Sequence, residues 1–284
     1  MSSNFESPEG QVVISKEFVE EFLQKKITYL KVSKGSNPGD NFTSILFAIE
    51  VKVCGESEPL HLLLKTYPAL QSRQKFLNET NLFLKEIKVY KEFLPDLIEF
   101  QRRELGHKVI TPAVPPFVAG KAIDFSKELD VGKLLSPLDN YLVMVDIRKT
   151  WGFQMVEKQI GLDYSHTRLA VAELAKLHAL SWAMKEKQNL SSLLTKYPYL
   201  VEMCFSRINS SIDNLVVANL KSVEKIAEST FQPGSRALRG IEKLKNTGPL
   251  EVLLWFLSPD GVVQEEMIRS YLAGTSIDHK EDDD

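Results

Sequence analysis

Leu60-His61-Leu62-Leu63-Leu64-Lys65-Thr66-Tyr67-Pro68, followed by Phe83-Leu84-Lys85-Glu86-Ile87-Lys88-Val89-Tyr90, is the stretch on which the fold turns. Gly55 and Ser57 supply a turn before it, so Leu60 to Lys65 reads as the returning strand of a hairpin, ended by Pro68. From residue 70 to 93 the period changes. Phe76, Leu82, Phe83, Ile87 and Tyr90 fall near helical spacing, and Pro95 is expected to break the run. A lysine closing an apolar strand often snorkels to water, and a helix glutamate often faces solvent. Lysine on the strand, then glutamate on the helix, is also the order in which a carboxylate can hold an ammonium toward a bound anion. The residues alone leave both readings open.

Upstream, Ile45, Phe47, Ile49, Val51 and Val53 alternate with Ser44, Leu46, Ala48, Glu50 and Lys52, the period of a strand with one face on a core. Gly39-Asp40-Asn41-Phe42-Thr43-Ser44 precedes it. Such a turn can offer amides and hydroxyls to phosphate oxygens, or it can simply start a strand. It has neither the G-x-x-x-x-G-K-[ST] of a P-loop nor a G-x-G-x-x-G. Ser15 is placed to cap a helix with Phe18, Val19, Phe22 and Leu23 on one face.

Downstream, a three-proline crossing at 111–116 leads to a strand at 117–123, and 141–146 is a short apolar strand. Arg148, Lys149 and Gly152 then form a hinge, beyond which 166–187 and further segments between 198 and 228 are helical. Strands, a hinge, then helices make an α+β plan with two lobes. The expected division is a flexible 1–10, a strand-rich lobe at 11–145, a helical lobe at 146–252 and a charged, atypical tail at 253–284. His178 shares a helical face with Leu174 and Ala175, so it is expected in a core or between lobes, and His166 likewise. His61 is expected at the surface.

The 284 residues suffice for one large domain or two lobes, and 43% hydrophobic with 26% charged residues is a globular composition. A net charge of −3 gives no electrostatic footprint for nucleic acid. No run reaches the roughly 18 or more apolar residues of a membrane span, and the N-terminus lacks a signal-peptide pattern. Cys54 and Cys204 make no disulfide framework and fit a reducing cytosol, so a cytoplasmic location is expected.

Taken in order, G-D-N-F-T-S, L-K-T-Y-P, F-x-x-E-x-x-x-Y-x-x-x-L-P, L-V-M-V-D-I, W-G-F, G-L-D-x-x-H and L-A-x-L-H-A-x-S resemble the ecdysteroid kinase-like (CHK kinase-like) family over residues 10–230. That family is similar to aminoglycoside and choline kinases. The resemblance implies a protein-kinase-like two-lobed fold, ATP with Mg2+, and a small-molecule hydroxyl acceptor such as an ecdysteroid. It makes Lys65 the ATP phosphate lysine and Glu86 its ion-pair partner. Asn41, Phe42, Thr43 and Ser44 become the turn over the phosphates. Met144, Val145 and Asp146 line the adenine. Val145 stands where the family usually has an acid, a change that backbone recognition of adenine would tolerate.

The resemblance also implies an H-G-D-x-x-x-x-N loop and a later I-D-F. None of the five histidines is followed by Gly-Asp. Residues 248–253 read as the strand leading to that loop, but Leu254-Trp255-Phe256-Leu257-Ser258-Pro259-Asp260-Gly261 offers no ligands at that spacing, and Asp260 reads as part of a Pro-Asp-Gly turn. No catalytic or metal residue is assigned. The expectation is therefore a truncated or frameshifted member with an incomplete helical lobe, which binds ATP weakly and transfers nothing. A pseudokinase paired with a full-length relative, or a non-functional fragment, is the alternative. No nucleic-acid or membrane partner is expected.

Overall fold

The computed structural model describes residues 5–6, 12–36, 44–106, 108–125, 127, 134–157, 160–201, 210–235, 238, 239 and 242. Residues 39–43 of the expected phosphate turn, Cys204, the 248–253 strand, Asp260 and the tail lie outside them. The chain packs as two compact units, residues 1–200 and 201–284.

The first unit begins with two short paired strands, β1 (Phe5–Glu6) and β2 (Val13–Ile14), and helix α1 (Lys16–Leu23). Ser15 caps α1 as expected, its hydroxyl accepting from the Phe18 amide at 3.2 Å. Then come β3 (Ile27–Lys34), β4 (Ile45–Val53) and β5 (Leu60–Thr66), an antiparallel run in which the alternation of β4 points Phe47, Ile49, Val51 and Val53 inward. Strands β6 (Phe117–Lys121) and β7 (Tyr141–Val145) complete one antiparallel sheet of order β3-β4-β5-β7-β6. The strand that carries Lys65 is thus central.

The two faces of this sheet bury different cores. Leu62 and Leu64 join Phe47, Ile49, Val51, Val143 and Val19 of α1 on one face. Leu63, Leu142 and Met144 face the other way, against Phe83 and Ile87. Adjacent strand residues point to opposite faces, so Lys65 belongs with Leu63 on the second face. Its cross-strand partners there are Leu46 and Leu142.

The helical run that covers this second face is less regular than its sequence suggests. Helix α2 (Gln71–Thr80) stops at Asn81, whose left-handed backbone (φ 50°) starts α3 (Leu82–Lys88) at a new angle. The Asn81 side chain bonds Asp124 and the Phe125 amide, which fixes that break. A π-helical turn at Val89–Phe93 follows α3 and leads directly into α4 (Leu94–Leu105). Pro95 therefore does not end the run. It sits in the first turn of α4, directly after the π turn, and Gly106 at φ 64° ends the helix instead.

Buried Gln74 ties α2 to the chain before β7, its amide donating to Pro68 and Leu135 and accepting from the Leu135 amide. After β7 come α5 (Ile147–Trp151), α6 (Tyr164–Lys187), α7 (Leu193–Lys196) and a 3-10 turn at Pro198–Leu200. Leu180 and Met184 of α6 pack with Phe93, Leu94, Leu97, Phe100 and Tyr197 in a third core. Much of the rest of α6 is exposed, Leu169, Val171, Leu174 and Trp182 included. In the second unit the structure describes α8 (Ser210–Thr230), followed by Gly234 at φ 77°. Among the described residues no helix is long and apolar enough to cross a membrane. The architecture is an α+β, kinase-like fold.

Candidate functional site

Lys65 and Glu86 meet. The central strand aims the ammonium at the covering helix, and Nζ lies 2.5 Å from Glu86 Oε2. The same Nζ sits 5.8 Å from the centre of the Phe83 ring, an aromatic face that favours a cation. Both side chains stay partly exposed, 22% for Lys65 and 34% for Glu86. The lysine is therefore held but not sealed. A strand lysine paired to a helix glutamate is the arrangement that sets phosphates in kinases. Tyr90, one turn after Glu86, has its phenol raised above its ordinary value by burial and, secondarily, by the Glu86 charge.

Of the expected phosphate turn, Ser44 is described and is buried at the start of β4. Sequence reading overlooked Gly35, which ends β3. A Cβ there would lie 2.9 Å from the Leu46 carbonyl carbon and 3.0 Å from Leu63 Cδ1, so the backbone approach requires glycine. The Gly35 amide donates to Leu46 O at 2.8 Å.

Met144 is buried in the second core, on the Lys65 face. The next two amides have partners already: Val145 donates to Pro116 O and Asp146 to His61 O, each at 2.9 Å. The Asp146 carboxylate caps α5, accepting from the Arg148 amide at 3.1 Å. It also accepts from Arg148 Nε at 2.8 Å and Nη2 at 2.9 Å, and Arg148 Nη1 reaches Gly35 O at 2.7 Å. The sequence reading placed Arg148 in the hinge but gave it no partner. Its short Asp-x-Arg spacing to Asp146 was the available signal.

Burial alone would raise the Asp146 carboxyl. The Arg148 side chain and its charge, with the Arg148 and Lys149 amides, outweigh burial and hold it below the ordinary 3.8. A carboxyl lowered in the folded state stabilises the fold above its unfolded pKa and loses that contribution as pH falls through the folded one. Wild type should therefore melt above Asp146→Asn at neutral pH, with the gap closing below pH 3.8. Calorimetry across that range checks it, and a gap that widens in acid would be the contrary result.

The histidines behave differently from expectation. His178 is exposed, as are Leu174 and Ala175, because α6 turns Leu177, Leu180 and Met184 toward the third core instead. His166 is exposed too, at the start of α6, where Asp163 accepts from its amide and lies 2.8 Å from its Nδ1. The G-L-D-x-x-H segment is thus a helix cap. His61 is half-buried in β5. Among the described residues no three His, Cys, Asp or Glu side chains converge as a metal site.

Searches of curated proteins and of solved structures return no match to this chain. The sequence profile of the ecdysteroid kinase-like family matches residues 38–249, the span that holds Lys65, Glu86 and Asp146. The chain belongs to the ecdysteroid kinase-like family.

Proposed function

We propose that this chain binds ATP through its strand-rich lobe, residues 11–145, without transferring a phosphoryl group. Membership of the family implies kinase-like chemistry on a small molecule, and kinases use ATP with Mg2+. The observation that carries the reading is the Lys65–Glu86 pair on the sheet face shared with Leu63 and Met144. In this reading Lys65 contacts phosphate oxygens and Glu86 keeps its ammonium in place. Asn41, Phe42, Thr43 and Ser44 lie over the phosphates, and Met144, Val145 and Asp146 stand beside the adenine. The Val145 and Asp146 amides are engaged inside the protein, so in this reading adenine meets backbone carbonyls and the Met144 side chain rather than these N–H groups.

Bound Mg2+ would neutralise charge building on the phosphates during transfer. That role needs acids and an asparagine at the spacing of H-G-D-x-x-x-x-N, which the 284 residues do not contain. Binding needs only donors and charge, and these are at hand in Lys65. The acceptor the family implies is the hydroxyl of a small molecule, of which ecdysteroids are the first to try.

Calorimetric titration of the purified chain with ATP and Mg2+, alongside a labelled-phosphate transfer assay with an ecdysteroid, tests the proposal. Saturable binding without transfer is expected. Absence of binding would sink the first half. Transfer that disappears on Asp260→Asn would sink the second, by giving the Pro-Asp-Gly turn a catalytic role.

A further inference from the structure

We infer that Arg148 is a positioning residue of the nucleotide site, pinning the end of β3 to the end of β7. The inference rests on the ATP-binding reading above and names a residue on which that site depends. Among the described residues strand β3 is the edge of the sheet, with a ladder to β4, and β4 and β5 separate it from β7. Arg148, just past the end of β7, reaches across that separation to Gly35 O, 113 positions away in sequence.

Each bond in the link is matched to a guanidinium. Nε and Nη2 engage both Asp146 oxygens in a planar fork, which leaves Nη1 aimed at the Gly35 carbonyl. Asp146 is itself buried, 3% exposed, and caps the first turn of α5. Gly35 is fixed from its other side by its bond to Leu46 O and by the absence of any room for a side chain. It touches the Leu63 position, two residues before Lys65 on the same face. Arg148 therefore sets where the β3 end stands relative to the face that carries Lys65.

Lysine at 148 separates this role from a merely structural one. It keeps a positive charge beside the buried Asp146 and so spares the fold, but a single ammonium cannot fork across the carboxylate and also reach Gly35 O. Arg148→Lys should bind ATP about tenfold more weakly, the loss of roughly one charge-assisted hydrogen bond's worth of positioning. Adenosine, which lacks phosphates, should lose less affinity than ATP does. Hydrogen exchange, which needs no nucleotide, should show the Gly35 amide opening about tenfold faster while the amides of β5 and β7 hold their protection.

Unchanged exchange at Gly35 would overturn the tether. Equal weakening of ATP and adenosine would overturn the positioning role, since a general loosening affects both. Unchanged ATP affinity in Arg148→Lys, with a wild type that binds, would overturn it alone. A wild type that binds no ATP would instead remove the ATP-binding reading, and this role with it.

Discussion

Lys65→Ala should lower ATP affinity by about ten- to a hundredfold, the value of roughly one or two charge-assisted hydrogen bonds to phosphate. The lysine is held at 2.5 Å by Glu86 and over the Phe83 ring, so little conformational freedom remains to be lost when phosphate arrives. The fold should hardly notice the change. The pair is partly open to water, and such pairs contribute on the order of 0–1 kcal/mol. Titration calorimetry for affinity and urea melts for stability read the two effects separately. Glu86→Gln should give a smaller loss of affinity, because it frees the ammonium without deleting it. ATP affinity equal to wild type in Lys65→Ala would remove Lys65 from the site.

One position earlier the outcome should invert. Leu64 is fully buried on the opposite face, in the core with Phe47, Ile49, Val51 and Val143. Truncating a leucine there removes its transfer energy and leaves a cavity, a cost of about 2–5 kcal/mol. Typical domains hold only about 5–15 kcal/mol, so Leu64→Ala should shift the urea midpoint far toward water. Its central strand is bonded on both sides, by β4 and β7, so the neighbours cannot easily collapse into the gap. Where Leu64→Ala stays folded, its ATP affinity should stay within about twofold of wild type. A stability loss below about 1 kcal/mol would mean that the site relaxes, against the packing described here.

What could be seen in the sequence followed from periodicity. The alternation of Ile45 to Val53 fixed a strand with one buried face, and the strand-then-helix order of Lys65 and Glu86 placed two side chains that do meet. Strand β3 went unseen because its alternation is short and broken: Leu30 and Val32 turn to the first core between exposed Tyr29, Lys31 and Ser33, but a register shift between Ile27 and Tyr29 interrupts the period. Pro95 was misread because periodicity does not reveal a π turn before it. Arg148 was read only as part of a hinge, for a different reason. Its role depends on a carbonyl 113 residues away, and no local pattern encodes such a partner.

The π turn at Val89–Phe93 carries a consequence for how this chain can vary. A π turn is an α-helix that has taken in one surplus residue. On one side of it Phe83 and Ile87 face the sheet beside Glu86, and on the other Leu94 and Leu97 face α6. An α-helix advances about 100° per residue, so losing the surplus one would turn one set of contacts away from its core while the other stayed in place. The angular phase between the two cores is thus written in the count of residues from 89 to 93 and not in their identities. Exchanges at the exposed Lys91 and Glu92 are tolerable there. Insertions and deletions are not.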